Sequence, residues 1–238
     1  MSEARQLALP FNHTAQYDPA DFLADRSNAE ALAWLARTAD WPGGRLAIWG
    51  GEGRGKTHLL HAWAEREGAA LLPGEALRGL VALPRSGGVA VDDADIAAEE
   101  PLLHLLNAAA EARLPVLLAG RAAPARWPTE LPDLASRLRA VAAVELHVPG
   151  DDMLRTLLAR LLSDRQLAVP EPLQDWLLLR LPRDPAALRE AAARLDRAAL
   201  AQGRRVTRPV AVSVLAAFGA DDAEAASSPE SPAMPCLL

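Results

Sequence analysis

The sequence predicts an α/β protein: a five-stranded parallel sheet sandwiched by helices, followed by a small all-helical subdomain. Three observations carry this. Short apolar runs alternate with helical stretches through the first 150 residues, the pattern of a parallel sheet covered on both faces. A glycine-rich segment, "GGEGRGKTHLL", stands between the first such run and a helix, where a phosphate-binding loop belongs. After Gly150 the short runs stop and only helical spacing remains. Of the 238 residues, 50% are hydrophobic, enough for a substantial core.

The elements follow in order. Residues 1–16 read as a flexible arm. "DRSNAEALAWLARTAD" is a helix, with Ser27 as N-cap and Glu30 completing a capping box. "RLAIWG" is a buried strand. "KTHLLHAWAEREG" has helical spacing, with Gly68 as its stop. "AALL" is a second strand, and "EALRGLVAL" a short helix closed by Pro84. "GVAVDDAD" is a third strand with acids at its end. "EEPLLHLLNAAAEAR" is a helix whose first turn holds Glu99, Glu100 and Pro101, as the helix dipole and proline geometry prefer. "LPVLLAG" is the fourth strand, "LPDLASRLRA" a helix and "AVAAVELHV" the fifth strand. Four helices fill the rest: "DDMLRTLLARLLSDRQ", "EPLQDWLLLRL", "DPAALREAAARLDRAALAQ" and "RPVAVSVLAAF". Trp34, Trp63 and Trp176 fall on predicted helices and read as packing contacts rather than a ligand box. Residues 220–238 are acidic and rich in Ala, Ser and Pro, the composition of a disordered tail. There is no internal repeat.

Charge and cysteine usage narrow the class. A net charge of −6 argues against a protein whose main task is gripping nucleic acid through a basic face. The single cysteine, Cys236, allows no intrachain disulfide and suits a reducing compartment. The first residues carry no secretory signal, and no run approaches the ~18 apolar residues that span a bilayer. A cytoplasmic protein with no membrane partner is expected.

One residue marks the chemistry. Lys56 is the only lysine; every other basic residue is arginine. It sits in G-x-x-x-x-G-K-[ST], formed by Gly50, Gly55, Lys56 and Thr57, with Gly53 a further glycine inside the loop and His58 just after it. Glycines let backbone N–H groups curl around phosphate oxygens, and the helix N-terminus adds positive potential. The threonine hydroxyl can ligate Mg²⁺. Lysine is a compact charge on a flexible stem that reaches between β- and γ-phosphates, where the wide planar fork of arginine does not fit. A pair of acids at a strand end is ordinarily solvated surface. After such a loop, Asp92 can stand near Mg²⁺ and Asp93 near the attacking water. The expected ligand is ADP or ATP with Mg²⁺.

Five strands, a phosphate loop, a double-acid strand and a helical lid resemble the AAA+ class of P-loop NTPases. "LPDLASRLRA" resembles the segment of the initiator DnaA and its shorter relatives of the Hda family that carries an arginine finger, with Arg137 at the finger's position. The resemblance implies that Arg137 acts in trans, neutralising charge on a neighbour's γ-phosphate. "QLALPF" resembles the motif by which replication proteins dock on the β sliding clamp of DNA polymerase III. Pro10 biases Leu9 towards an extended form; Leu7, Leu9 and Phe11 offer apolar anchors and the Gln6 amide both donates and accepts. "DFLADRSNAEAL" is similar to the family's segment leading into the base, where residues near Asn28 lie close to the nucleotide, and "ARLDRAAL" recurs near the end of the lid. The implied layout is an arm at 1–16 with the clamp motif, a nucleotide-binding base at 17–150, a lid at 151–219 and a tail at 220–238.

Two departures stand out. Relatives place Thr, Ser or Asp at the end of the fourth strand, whereas this chain has Ala119, Gly120 and Arg121. Relatives also carry a sensor arginine where Ala186 stands here, flanked by Arg183 and Arg189. Both touch γ-phosphate sensing more than diphosphate binding, so nucleotide binding with weak or no intrinsic hydrolysis is expected. The resemblance implies a negative regulator of replication initiation. It would sit on the clamp, meet DNA only through it, and stimulate ATP hydrolysis by DnaA. The alternatives are a stand-alone AAA+ ATPase such as a helicase loader, and an initiator paralogue acting as a scaffold. Whether the chain forms a homo-oligomer is left open.

Overall fold

The computed structural model describes residues 23–79, 82–202 and 205–226. The arm with its clamp motif, Gln6, Leu7, Leu9, Pro10 and Phe11, lies outside the described residues. Five parallel strands form one sheet: β1 (Arg45–Trp49), β2 (Ala70–Pro73), β3 (Val89–Asp92), β4 (Val116–Gly120) and β5 (Ala142–Glu145), in the order β2-β3-β4-β1-β5. The helices α1 (Ala29–Leu35), α2 (Lys56–Glu67), α3 (Glu99–Glu111) and α4 (Pro132–Arg139) connect them. The register pairs Ala47 with Leu118 and Leu46 with Ala142.

Side chains on a strand alternate between faces, and here both faces are buried. Ala47, Val89, Val91, Val116 and Leu118 pack with Leu102, Leu105 and Leu106 of α3 and Leu134 and Leu138 of α4. Leu46, Ile48, Ala90, Leu117 and Ala119 pack with Ala31 and Leu35 of α1 and Leu59, Leu60 and Trp63 of α2. That is why the strands read as unbroken apolar runs. β4, between β3 and β1, is buried along its whole length.

Three local readings are corrected. The capping box before α1 is not Ser27 with Glu30. Asn28 stands at the N-cap without a side-chain cap bond; in the turn before it the Asp25 carboxylate accepts from the Ser27 N–H at 2.9 Å, and the Asn28 Oδ1 accepts from the Asp25 N–H at 3.0 Å. Ser27 instead spends its hydroxyl on Asp25. The helix expected over 75–83 is absent from its described part, which holds only a 3₁₀ turn at Gly74–Ala76. Gly79 lies at φ +67 and Leu77 is buried at 2% exposure, so one apolar anchor and a left-handed glycine fix an irregular path. Finally, α8 (Arg208–Ala226) continues beyond Gly219 into the segment read as tail.

The chain divides into two compact units. The sheet unit runs through Leu157 and includes Arg183–Ala186; the helical unit holds Leu158–Pro182 and the chain from Ala187 onward. The lid helices are α5 (Asp151–Asp164), α6 (Glu171–Leu178), α7 (Pro185–Gln202) and α8. In the helical unit Leu162, Leu177, Leu188, Leu195 and Ala211 are buried. The Trp176 ring lies beneath the guanidinium groups of Arg180 at 4.4 Å and Arg208 at 5.2 Å, a cation–π arrangement. The sequence reading of Trp63 as a packing residue holds in the sheet unit. Trp63 is 1% exposed, stacks on Trp41 at 5.2 Å and donates its indole N–H to the Thr38 hydroxyl at 3.0 Å.

Replacing Trp63 with Ala removes the largest fully buried side chain of the sheet. The expected loss is about 3–5 kcal/mol, as for other buried aromatic truncations. Urea unfolding followed by circular dichroism reads it directly; a loss below about 1 kcal/mol would contradict the packing described.

Candidate functional site

The site is built where β1 ends. The chain leaves Trp49, turns through Gly50–Gly55 and starts α2 at Lys56. The turn requires glycine. A Cβ at Gly50 would lie 2.6 Å from the Leu146 carbonyl oxygen, which no side chain tolerates, and Gly55 sits at φ +87, the left-handed region. Arg54 braces the same spot, donating to the Leu146 carbonyl at 3.1 Å.

Lys56 is buried at 8% exposure. Its ammonium donates to the carbonyls of Gly50 at 2.8 Å and Gly51 at 2.9 Å. Burial lowers its pKa, and Asp93, Asp92 and Asp95 oppose that shift. The lysine therefore sits in an acid-lined pocket of its own loop, where an incoming phosphate meets a cation held in place. Thr57 follows as the second residue of α2 and is partly exposed. The His58 ring is 3% exposed, so what this residue offers a ligand is its backbone.

Asp92 closes β3, and the Asp93 N–H donates to its carboxylate at 3.1 Å. Asp93 takes φ +46, a left-handed conformation that Asp and Asn tolerate better than most residues. Its carboxyl is held above the usual range, first by burial and then by Asp92 and Asp95. Asp95 was not singled out in the sequence. Its Oδ2 accepts from the Arg121 N–H at 2.8 Å, while Oδ1 is buried without a hydrogen-bond partner. The extra acid in "VDDAD" was the available signal.

The end of β4 explains its missing polar side chain. A Cβ on Gly120 would lie 2.7 Å from the Trp127 ring and 3.3 Å from the Asp95 carboxyl carbon. Asp95 and Trp127 fill that space, so Gly120 admits nothing larger. The cation next to it, Arg121, reaches across to the phosphate loop and pairs with Glu52 at 2.8 Å.

A cavity of about 770 Å³ opens beyond the end of β5, lined among others by Leu23, Asp25, Ser27, His147, Met153 and Thr156 and by no residue of the loop itself. Its size suits a nucleotide-sized ligand. Asn28, 4% exposed, does not face it as a free amide. Its Nδ2 donates to the Leu23 carbonyl at 2.9 Å and its Oδ1 serves Asp25, so Asn28 shapes the wall. The His147 N–H donates to the Ser27 carbonyl at 3.0 Å and ties that wall to the end of β5.

Arg137 stands elsewhere. α4 ends at Arg139, and β5 begins at Ala142 opposite Leu46, near the start of β1. Arg137 is thus at the edge of the sheet away from the loop; β1 between them is five residues long, about 15 Å. Burial lowers the Arg45 pKa at that edge, and the charge of Arg137 lowers it further. The Arg137 Nε lies 3.3 Å from Asp133 but makes no aligned hydrogen bond. The start of α4 is held by Glu99, whose carboxylate accepts from the Glu130 and Leu131 N–H groups, each at 2.8 Å.

The loop fits a nucleotide: Gly50, Gly53 and Gly55 are held to glycine by contact or by positive φ, and the lysine is fixed. Among the described residues no group of three or more His, Cys, Asp and Glu could hold a metal by itself. Mg²⁺ bound through substrate phosphates and water needs no such cage. No helix among the described residues is long and apolar enough to cross a membrane.

Comparison with known proteins agrees with this architecture. Residues 151–215 match the family model "Hda, lid domain". An uncharacterized protein of Haemophilus influenzae is 25% identical over 229 residues, covering 89% of this chain and 98% of its own. Domain III of the Thermotoga maritima replication initiation protein DnaA superposes with a TM-score of 0.71 at 18% identity, covering 86% of this chain and 97% of that one. AMPPCP-bound DnaA from Aquifex aeolicus gives 0.59 at 15% identity, covering 72% of this chain and 62% of that one. The chain thus has the fold of DnaA domain III, and its residues 151–215 are similar to the lid domain of Hda.

Asp93 supplies a stability test. A carboxyl raised above its ordinary value of 3.8 opposes folding when ionised, because the folded state holds the proton more tightly than the unfolded one. Asp93→Asn removes that charge and suits φ +46. The variant should show a higher urea midpoint than the wild type at pH 7. The difference should shrink as pH falls through the carboxyl range and vanish below it. Equal midpoints at pH 7 would show that the three acids do not strain one another.

Proposed function

We propose that this chain is a negative regulator of chromosome replication initiation, acting on DnaA. In this reading the phosphate loop holds ADP or ATP with Mg²⁺. Lys56 and the loop N–H groups cradle the phosphates; Thr57 and Asp92 hold the ion. The motif Gln6–Phe11 docks on the β sliding clamp, so the protein meets DNA only through the clamp. Arg137 is presented to the ATP held by DnaA and stabilises the charge that develops as its γ-phosphate leaves.

The observation that carries the reading is the separation of Arg137 from its own loop by the length of β1. An arginine at that edge is too far to serve the nucleotide in cis and lies on the side from which one could be reached in trans, its neighbour there being Asp133. The Hda-type lid supports DnaA as the partner, and an AMPPCP-bound DnaA of the same fold supports nucleotide at the loop. Asp93 would orient an attacking water. The crowded Gly120 and the Ala186 position favour weak or no intrinsic hydrolysis.

The test separates the two contacts. Arg137→Ala should retain clamp binding and lose DnaA stimulation by about a thousandfold, the usual scale for an arginine finger. Gln6→Ala with Leu9→Ala should abolish clamp binding in gel filtration. Undiminished stimulation by the Arg137 variant would refute the finger. DNA-stimulated ATP turnover by the isolated chain would favour a stand-alone ATPase.

A further inference from the structure

We propose that Asp184 sets the phosphate number this site accepts, weakening the binding of a nucleoside triphosphate relative to the diphosphate. The inference rests on the reading of Gly50–Thr57 as a nucleotide site. Asp184 belongs to the same compact unit as the sheet. Its carboxyl group rests on the phosphate loop. A Cβ at Gly53 would lie 2.5 Å from its Cγ and 2.7 Å from its Oδ2, and Gly53 sits at φ +71. Only glycine there lets the acid come so close.

The carboxyl is fixed rather than swinging. Its Oδ1 accepts from the Ala186 N–H at 2.7 Å, an N-cap bond at the start of α7. That leaves Oδ2 against the loop. The cation next in sequence is turned elsewhere, since Arg183 pairs with Asp151. Of the nearby arginines, Arg54 is turned to the neutral Leu146 carbonyl and keeps its charge, while Arg121 is paired with Glu52.

The charge balance then decides selectivity. Loop N–H groups cradle the phosphates of a bound nucleotide, so an acid resting on Gly53 stands at its phosphate end. A γ-phosphate adds negative charge to a loop where an acid already stands, and Asp184 offsets part of the attraction of Lys56. The diphosphate keeps the same loop contacts with less repulsion. Asp184 is a specificity residue, since it touches the loop and not the reacting atoms.

Calorimetry of the full chain with Mg·ADP and with a nonhydrolysable Mg·ATP analogue tests this, beside Asp184→Asn. Asparagine keeps the N-cap acceptor and removes the charge, so the thermal midpoint without nucleotide should not move. The wild type should bind the diphosphate more tightly. The variant should gain about five- to tenfold for the triphosphate analogue, stay within twofold for ADP, and show a smaller salt dependence of the ratio. Binding of both with an unchanged ratio would overturn the inference alone. If neither protein binds either nucleotide, the reading of the loop fails and the inference falls with it.

Discussion

The close approach of Gly50 to the Leu146 carbonyl governs the site. β1 lies between β4 and β5, so the chain leaving β1 must turn beside the end of β5. The turn leaves no room for a side chain. Once glycine is forced there, the rest follows. Arg54 can reach over the gap to Leu146. The β5 end can take the His147–Ser27 bond that brings the lead-in segment alongside. The cavity takes its wall from that segment and from the residues after β5. A side chain at Gly50 would disturb the loop, the strand edge and the cavity wall together.

Charge explains why arginine was not used throughout. Lys56 lies at 8% exposure with both of its carbonyl partners in its own loop. A guanidinium is too wide for that slot. Burying an ammonium is costly unless it is paired, and the acids at the end of β3 supply the compensation. Burial first, and then the charges of Asp92 and Asp95, make Asp93 reluctant to ionise. Neither the lysine nor the acids are at ease without the other. A site held in that balance is sensitive to each charge added, which makes Glu52, Arg121 and Asp184 more than surface decoration.

Much of this was legible in the sequence because it is local or periodic. Apolar runs gave the strands, and the loop declared itself through glycine spacing between a strand and a helix. What failed was of two kinds. Some short-range competition has two good solutions. Ser27–Glu30 has the spacing of a capping box, but the lead-in turn ties Asp25 to Ser27 and Asn28 instead. The run 75–83 has helical composition, but the burial of Leu77 outweighs propensity. The other misses are long-range. Arg121 meets Glu52, and Asp184 meets Gly53 across more than half the chain. No spacing rule announces such pairs, since they depend on which strand ends the sheet brings together.

The same topology separates the glycine loop from Arg137. In a parallel sheet every strand ends on the same edge, so the loop, Asp92, Gly120 and the β5 exit all gather there. Arg137 precedes a strand rather than following one, and so lies at the opposite edge. Its placement is nonetheless anchored to the nucleotide edge through packed groups. Trp127 lies against Gly120 and donates its indole N–H to the Ala122 carbonyl at 2.8 Å. Three residues on, Glu99 grips the Glu130 and Leu131 N–H groups that lead into α4. Gly120 is therefore small for two reasons, one at each end of this chain of contacts. It admits the Asp95 carboxyl beside the loop, and it seats the ring that begins the path to Arg137.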